Sequence, residues 1–230
     1  MENLGEQLIK AVFFDRDNTL TYKNQKVIDR YYALVESVSN RPYKEDKKKM
    51  FEMFSKIKAQ GFNTNTYDNE VLFYKEYYKQ VLFEECGHHS PEIDNIAEEI
   101  FKTMWLKDRV LYDDVISTFK EIKTKGIKIG IISDTTHSLK QTLVSLGLEE
   151  YIDSYTCSKE VGIMKPDPKI YIAALKKLDI KPEECLYIDD YEEEVVGAES
   201  LGIKSFRINR NGEELLPHDI KSLNEILKSL

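Results

Sequence analysis

Apolar and polar positions follow two different periods along this chain, and the change of period divides it. Residues 10–14, Lys-Ala-Val-Phe-Phe, form a short apolar run leading into an acid, which reads as a parallel strand buried on both faces. Residues 27–38, 44–59, 69–85 and 91–106 then place apolar or aromatic side chains at spacings of three and four with charges between, the pattern of amphipathic helices. Breaks fall at Asn40-Arg41-Pro42, at 61–66 and at 87–90. Ser90-Pro91-Glu92-Ile93-Asp94 has the proline and early acids of a helix start.

Beyond residue 110 strands and helices alternate. Helices are predicted at 115–125, 138–146, 167–178 and 192–200, the third with Pro168 in its first turn. Strands are predicted at 127–132, 155–157, 185–188 and 203–208. This alternation predicts an α/β fold with a doubly wound parallel-sheet (Rossmann-like) core. The helical block becomes an insertion after the first strand, giving an α/β core of 1–20 and 110–230 and an α-helical domain of 21–109.

Charge supports the division. The chain has 230 residues and a net charge of −8, from 33 basic and 41 acidic residues. Between Tyr22 and Arg109 there are 15 of each, so the whole excess lies outside the helical block. An acidic chain without a broad basic surface argues against nucleic-acid binding. No apolar run approaches the ~18 residues that span a bilayer. Residues 1–10 carry Glu2 and Glu6 and no long apolar stretch, so they do not read as a secretory signal. Cys86, Cys157 and Cys185 form no Cys-x-x-Cys pair and are odd in number, which points to a reducing cytoplasm rather than a zinc site or a disulfide framework.

In open parallel sheets ligands bind beyond the carboxyl ends of the strands. The first strand ends at Asp15, with Asp17 and Thr19 after it. The second ends at Ser133-Asp134, and the fourth at Asp189-Asp190. Lys165 precedes a helix in Gly162-Ile-Met-Lys-Pro-Asp-Pro168. A carboxylate can attack phosphorus, paired carboxylates near a phosphate require a hard cation such as magnesium, and a lysine steadies phosphoryl charge. Each feature alone has a plain reading: Ser133-Asp134 as a helix cap, Lys165-Pro166 as a loop, Asp189-Asp190 as a turn. Their joint placement at successive strand ends favours chemistry.

With these motifs the chain resembles the haloacid dehalogenase-like (HAD) hydrolase superfamily. Asp15-Arg16-Asp17-Asn18-Thr19-Leu20 matches the first motif, Ser133 the second, Lys165 before Pro166 the third, and Asp189-Asp190 with Glu194 the fourth. An insertion straight after the first motif resembles the subgroup with a helical cap. The resemblance implies a first strand lying between the second and fourth. It implies Asp15 as nucleophile, Asp17 as general acid and base, and Thr19 as a residue that places Asp17. It also implies Lys165 and Ser133 on the phosphate, with Asp134 beside them. Magnesium is implied at Asp15, the Asp17 carbonyl and Asp189, with Asp190 or Glu194 in support. Asn18 stands where glycine is usual, and Asn is the next residue to tolerate a left-handed turn.

Asp17 favours phosphate monoesters, because the dehalogenases that the chain resembles lack an aspartate there. The expected activity is magnesium-dependent hydrolysis of a small phosphorylated metabolite, by a monomer or homodimer. A sugar-phosphate mutase and a non-catalytic binding protein on the same fold are the alternatives. Tyr31, Tyr32, Phe73, Tyr74, Tyr77, Tyr78 and Trp105 read first as helix packing and second as substrate contacts. His88-His89 reads as a helix–helix loop, residues 44–49 as a solvated face, and Lys23 and Lys26 as candidates near the entrance.

Overall fold

The first apolar run forms β1, Ala11–Phe14, and all of it is buried. Burial on both faces is what a central parallel strand requires, and it explains why the run is continuous rather than alternating. The computed structural model describes residues 8–39, 42–87, 89, 91–212, 216–217 and 219–230. Glu2, Glu6, the break at Asn40-Arg41, and the residues His88 and Ser90 lie outside them.

After β1 come β2 (Thr21–Lys23), α1 (Gln25–Val38), α2 (Lys47–Ala59), α3 (Tyr67–Gln80), α4 (Ile93–Met104) and β3 (Arg109–Leu111). Strands and helices then alternate: α5 (Val115–Thr124), β4 (Lys128–Ser133), α6 (Leu139–Ser145), β5 (Ser154–Cys157), α7 (Ser158–Val161), α8 (Pro168–Leu178), β6 (Cys185–Asp189), α9 (Glu192–Glu199), β7 (Lys204–Ile208) and β8 (Asp219–Ile220). Six strands form one parallel sheet in the order β5-β4-β1-β6-β7-β8, while β2 and β3 pair separately. The fold is therefore the α/β Rossmann-like one expected, with the first strand between β4 and β6. The short β8 and the tight helical turn Leu223–Ser229 carry no clear period and went unpredicted.

The chain forms two compact units. One holds the residues up to Tyr22 with Leu111–Leu230, and the other is Lys23–Val110. In the first unit, the strand period of two sorts side chains onto two faces. Val12, Phe14, Ile129 and Ile131 pack with Phe119 of α5. Ala11, Phe13 and Tyr187 pack with Ile170 and Tyr171 of α8.

The helical unit has its own core, which includes Tyr31, Phe73, Tyr77 and Tyr78, with Tyr32, Tyr74 and Trp105 packed against it. Asp46 accepts the N–H groups of Lys48 and Lys49, which is why α2 starts at Lys47 and not at residue 44. Thr66 caps α3 in the same way, moving its start ahead of the apolar pattern. The end of that pattern, Val81–Glu85, is a wider helical turn. No helix of the described residues is long and apolar enough to cross a membrane.

Gly130 in β4 lets the Phe13 ring cross the sheet face: a Cβ there would lie 2.4 Å from that ring. Gly130→Ala is expected to lower stability by about 1–3 kcal/mol, the usual range for overpacking a filled core. Urea unfolding measures it, and a variant as stable as the parent would contradict the packing described.

Candidate active site

Register brings the acids together. Phe14 pairs with Ile188 across β1 and β6, so the next residues, Asp15 and Asp189, sit side by side on neighbouring strands. The Asp15 N–H donates to the Ile188 carbonyl at 2.9 Å, holding the strand end in place. Ser133 ends β4 on the other side of β1 and is buried. Lys165 enters from the loop before α8, and its ammonium meets Asp15 at 2.8 Å, Asp189 at 2.7 Å and Glu194 at 2.5 Å. Its side chain is only 1% exposed.

Two further contacts, one from Asp134 and one at Gly197, hold that loop. Asp134 accepts the Lys165 backbone N–H at 3.1 Å. The Lys165–Pro166 peptide is cis. Gly197 in α9 has no side chain to keep the helix away: a Cβ there would lie 2.7 Å from the Pro166 Cβ. Gly197 thus lets α9 approach the lysine loop and carry Glu194 to the ammonium.

Asp15, Asp189 and Glu194 each offer an oxygen within 4.8 Å of the others. Among the described residues, Glu194 and not Asp190 belongs to this group. Asp190 instead accepts the Asn18 side-chain amide at 3.0 Å. Asn18 has φ 58°, the left-handed conformation that this turn demands. Asp17 is also outside the group. Its two oxygens accept Arg16 Nε at 3.2 Å and Nη2 at 2.7 Å. Thr19 is fully buried, and its hydroxyl has no hydrogen-bond partner among the described residues.

Burial pushes the Asp15 carboxyl up to about 7, against the pull of Lys165 and with a further push from Asp189. Burial and a hydrogen bond with Asp189 push Glu194 up to about 8. Three carboxylates around one ammonium leave an excess of negative charge in a buried place. An all-oxygen donor set with that excess suits a hard divalent cation such as magnesium.

Two contributors escaped the sequence reading. Arg210 donates to the Thr19 carbonyl from Nε at 3.2 Å and Nη2 at 2.6 Å, pairs with Asp114, and lies 3.7 Å from the Tyr112 ring centre. It ties the loop after β7 to the loop after β1. Its neighbours Asn209 and Asn211 form no periodic pattern, so nothing local marked it. Tyr187 places its hydroxyl on Asp189 and 3.2 Å from Lys165. A tyrosine inside an apolar strand, two residues before an acid, was a readable signal.

A sequence model of the haloacid dehalogenase-like hydrolases matches residues 9–202. A glyceraldehyde 3-phosphate phosphatase from Methanopyrus kandleri is 28% identical over 214 residues, covering 88% of this chain and 85% of that protein. The pyrophosphatase PpaX of Bacillus cereus is 26% identical, covering 87% and 83%. The crystal structure of a HAD phosphatase from Thermococcus onnurineus superposes with a TM-score of 0.63 at 24% identity, over 96% of this chain and 97% of that one. It bears on the fold alone.

Asp15 and Glu194 hold their protons more tightly when folded than when unfolded. The folded chain therefore binds the extra protons between the ordinary carboxyl range and about 8, and stability falls as pH rises through that window. Metal-free protein is expected to melt at a lower temperature at about pH 8 than at about pH 5.5, with Asp15→Asn narrowing the gap. Melting curves at both pH values check this, and a gap untouched by the substitution would contradict it.

Proposed function

The chain belongs to the haloacid dehalogenase-like hydrolases, and on that footing we propose that it hydrolyses a small phosphate monoester through an aspartyl-phosphate. The observation that carries this reading is the strand-end constellation: Asp15 beside Asp189, with Lys165 2.8 Å from the first and 2.7 Å from the second. The names of the Methanopyrus and Bacillus relatives support phosphate chemistry.

In this reading an Asp15 oxygen attacks phosphorus while the bond from phosphorus to the leaving oxygen breaks. Asp17 gives a proton to that oxygen, then takes one from the water that attacks the aspartyl-phosphate, freeing Asp15 and inorganic phosphate. Arg16 donates to both Asp17 oxygens, and each oxygen keeps a second lone pair for the proton in this reading. Lys165 and Ser133 steady the phosphoryl oxygens, and Asp134 keeps the Lys165 loop in position. Asp15, Asp189 and Glu194 would hold magnesium, which when bound offsets charge between carboxylates and phosphate.

The cap role goes to the helical unit Lys23–Val110 and the catalytic role to the α/β unit. The buried free cysteines fit a cytoplasmic location. Tyr31, Phe73, Tyr77 and Tyr78 serve first as the core of the helical unit, with Tyr32, Tyr74 and Trp105 packed against it, which leaves the substrate's identity to the unit's surface side chains.

Purified protein with magnesium is expected to release phosphate from a panel of small phosphomonoesters, with glyceraldehyde 3-phosphate among the first to try. Asp15→Asn should lower turnover by at least about 10³-fold, as loss of a nucleophile does. Turnover at the parental rate would overturn the mechanism, and isomerisation of a sugar phosphate without net phosphate release would favour a mutase. In the first half-reaction, followed as the burst of released alcohol in a single turnover, Asp17→Asn should slow alkyl phosphates by about 10²–10⁴-fold and p-nitrophenyl phosphate far less, because that leaving group needs no acid. Equal losses on both would remove Asp17 from the acid role.

A further inference from the structure

Tyr187 stands in β6 two residues before Asp189, so the strand period puts both side chains on one face. It is fully buried, in a largely apolar layer that also holds Tyr171. A buried hydroxyl needs partners, and those of Tyr187 are at the site: it donates to Asp189 Oδ2 and lies 3.2 Å from the Lys165 ammonium. The ring is held edge-on by Tyr171 of α8, at 5.4 Å between centres.

Asp189 is thus gripped at both oxygens. Oδ1 accepts the Tyr191 N–H at 2.9 Å. Oδ2 accepts Lys165 and Tyr187. These two donors are not equivalent. The ammonium is divided among Asp15, Asp189 and Glu194, and any rearrangement of one of them redistributes it. The phenol is bound to the same strand as Asp189 and donates to that carboxylate. A phenylalanine would fill the same space and leave Oδ2 to the lysine.

We propose that Tyr187 is a positioning residue for the metal site: its hydroxyl fixes the plane of the Asp189 carboxylate in the orientation that receives the cation. The inference rests on the magnesium reading given above. Groups that orient a ligand from behind typically change metal affinity by about 10–100-fold when removed.

The test is direct titration of metal-free protein with magnesium chloride by calorimetry, with no substrate present. Tyr187→Phe is expected to weaken binding at least about tenfold while the melting temperature of the metal-free protein moves little. Tyr155→Phe is the control, since its hydroxyl, on β5, is buried with no hydrogen-bond partner among the described residues, and it should bind magnesium as the parent does. Rescue completes the set: Tyr187→Phe should recover turnover at high magnesium, with the substrate KM close to the parental value. Parental magnesium affinity in Tyr187→Phe would overturn the inference and leave the phosphatase reading intact. Equal weakening in Tyr155→Phe would also overturn it, because the effect would then be general loosening. A parent that binds no magnesium would overturn the metal reading itself.

Discussion

Lys165 is a single ammonium, nearly sealed from water, held by three carboxylates that belong to a strand end, a neighbouring strand end and a helix. In a buried place such a charge is tolerated only with good partners, and removing one partner of a buried pair commonly costs about 3–5 kcal/mol. The same arithmetic runs the other way. Burial first, and then one positive charge set among three negative ones, makes two of the carboxyls hold their protons toward neutral pH. The arrangement is therefore organised but electrically incomplete, and a divalent cation arriving there would meet groups already in place.

Much of the fold serves to bring that ammonium to that spot. The parallel register sets Asp15 beside Asp189 without any help from loops. Asp134 and Pro166 shape the segment that carries the lysine, and Gly197 lets the last helix approach closely enough for Glu194 to reach it. Tyr171 and Tyr187 lie beneath, each sending a hydroxyl to the acidic segment, one to the Glu194 carbonyl and one to Asp189. Arg210 does comparable work for the loop after β1, which it grips at the Thr19 carbonyl.

The legible part of this molecule was local. Continuous apolar runs announced the buried strands, and the acids that end them announced the site, because strand ends in a parallel sheet share one edge. Asn18 was readable as a left-handed residue because few side chains tolerate that conformation, and its φ of 58° agrees. Helix starts were misplaced where a capping side chain, Asp46 or Thr66, overrode the apolar pattern. Lateral contacts were illegible: Arg210 reaches Thr19 across 191 positions of sequence, and no period records that. The choice between Asp190 and Glu194 belongs to the same class, because it depends on how closely α9 packs on the lysine loop. Glu194 sits with Asp15 and Asp189, while Asp190 turns to Asn18.

The central claim is that Asp15 carries the phosphoryl group in a covalent intermediate. Quenching the enzyme during turnover, reducing it with borohydride and sequencing its peptides by mass spectrometry addresses that claim at the atom concerned. An acyl-phosphate is reduced where a free carboxylate is not, so homoserine should appear at position 15, only when substrate and magnesium are both present. Turnover with aspartate intact at position 15, or with the reduced residue at another position, would contradict the account.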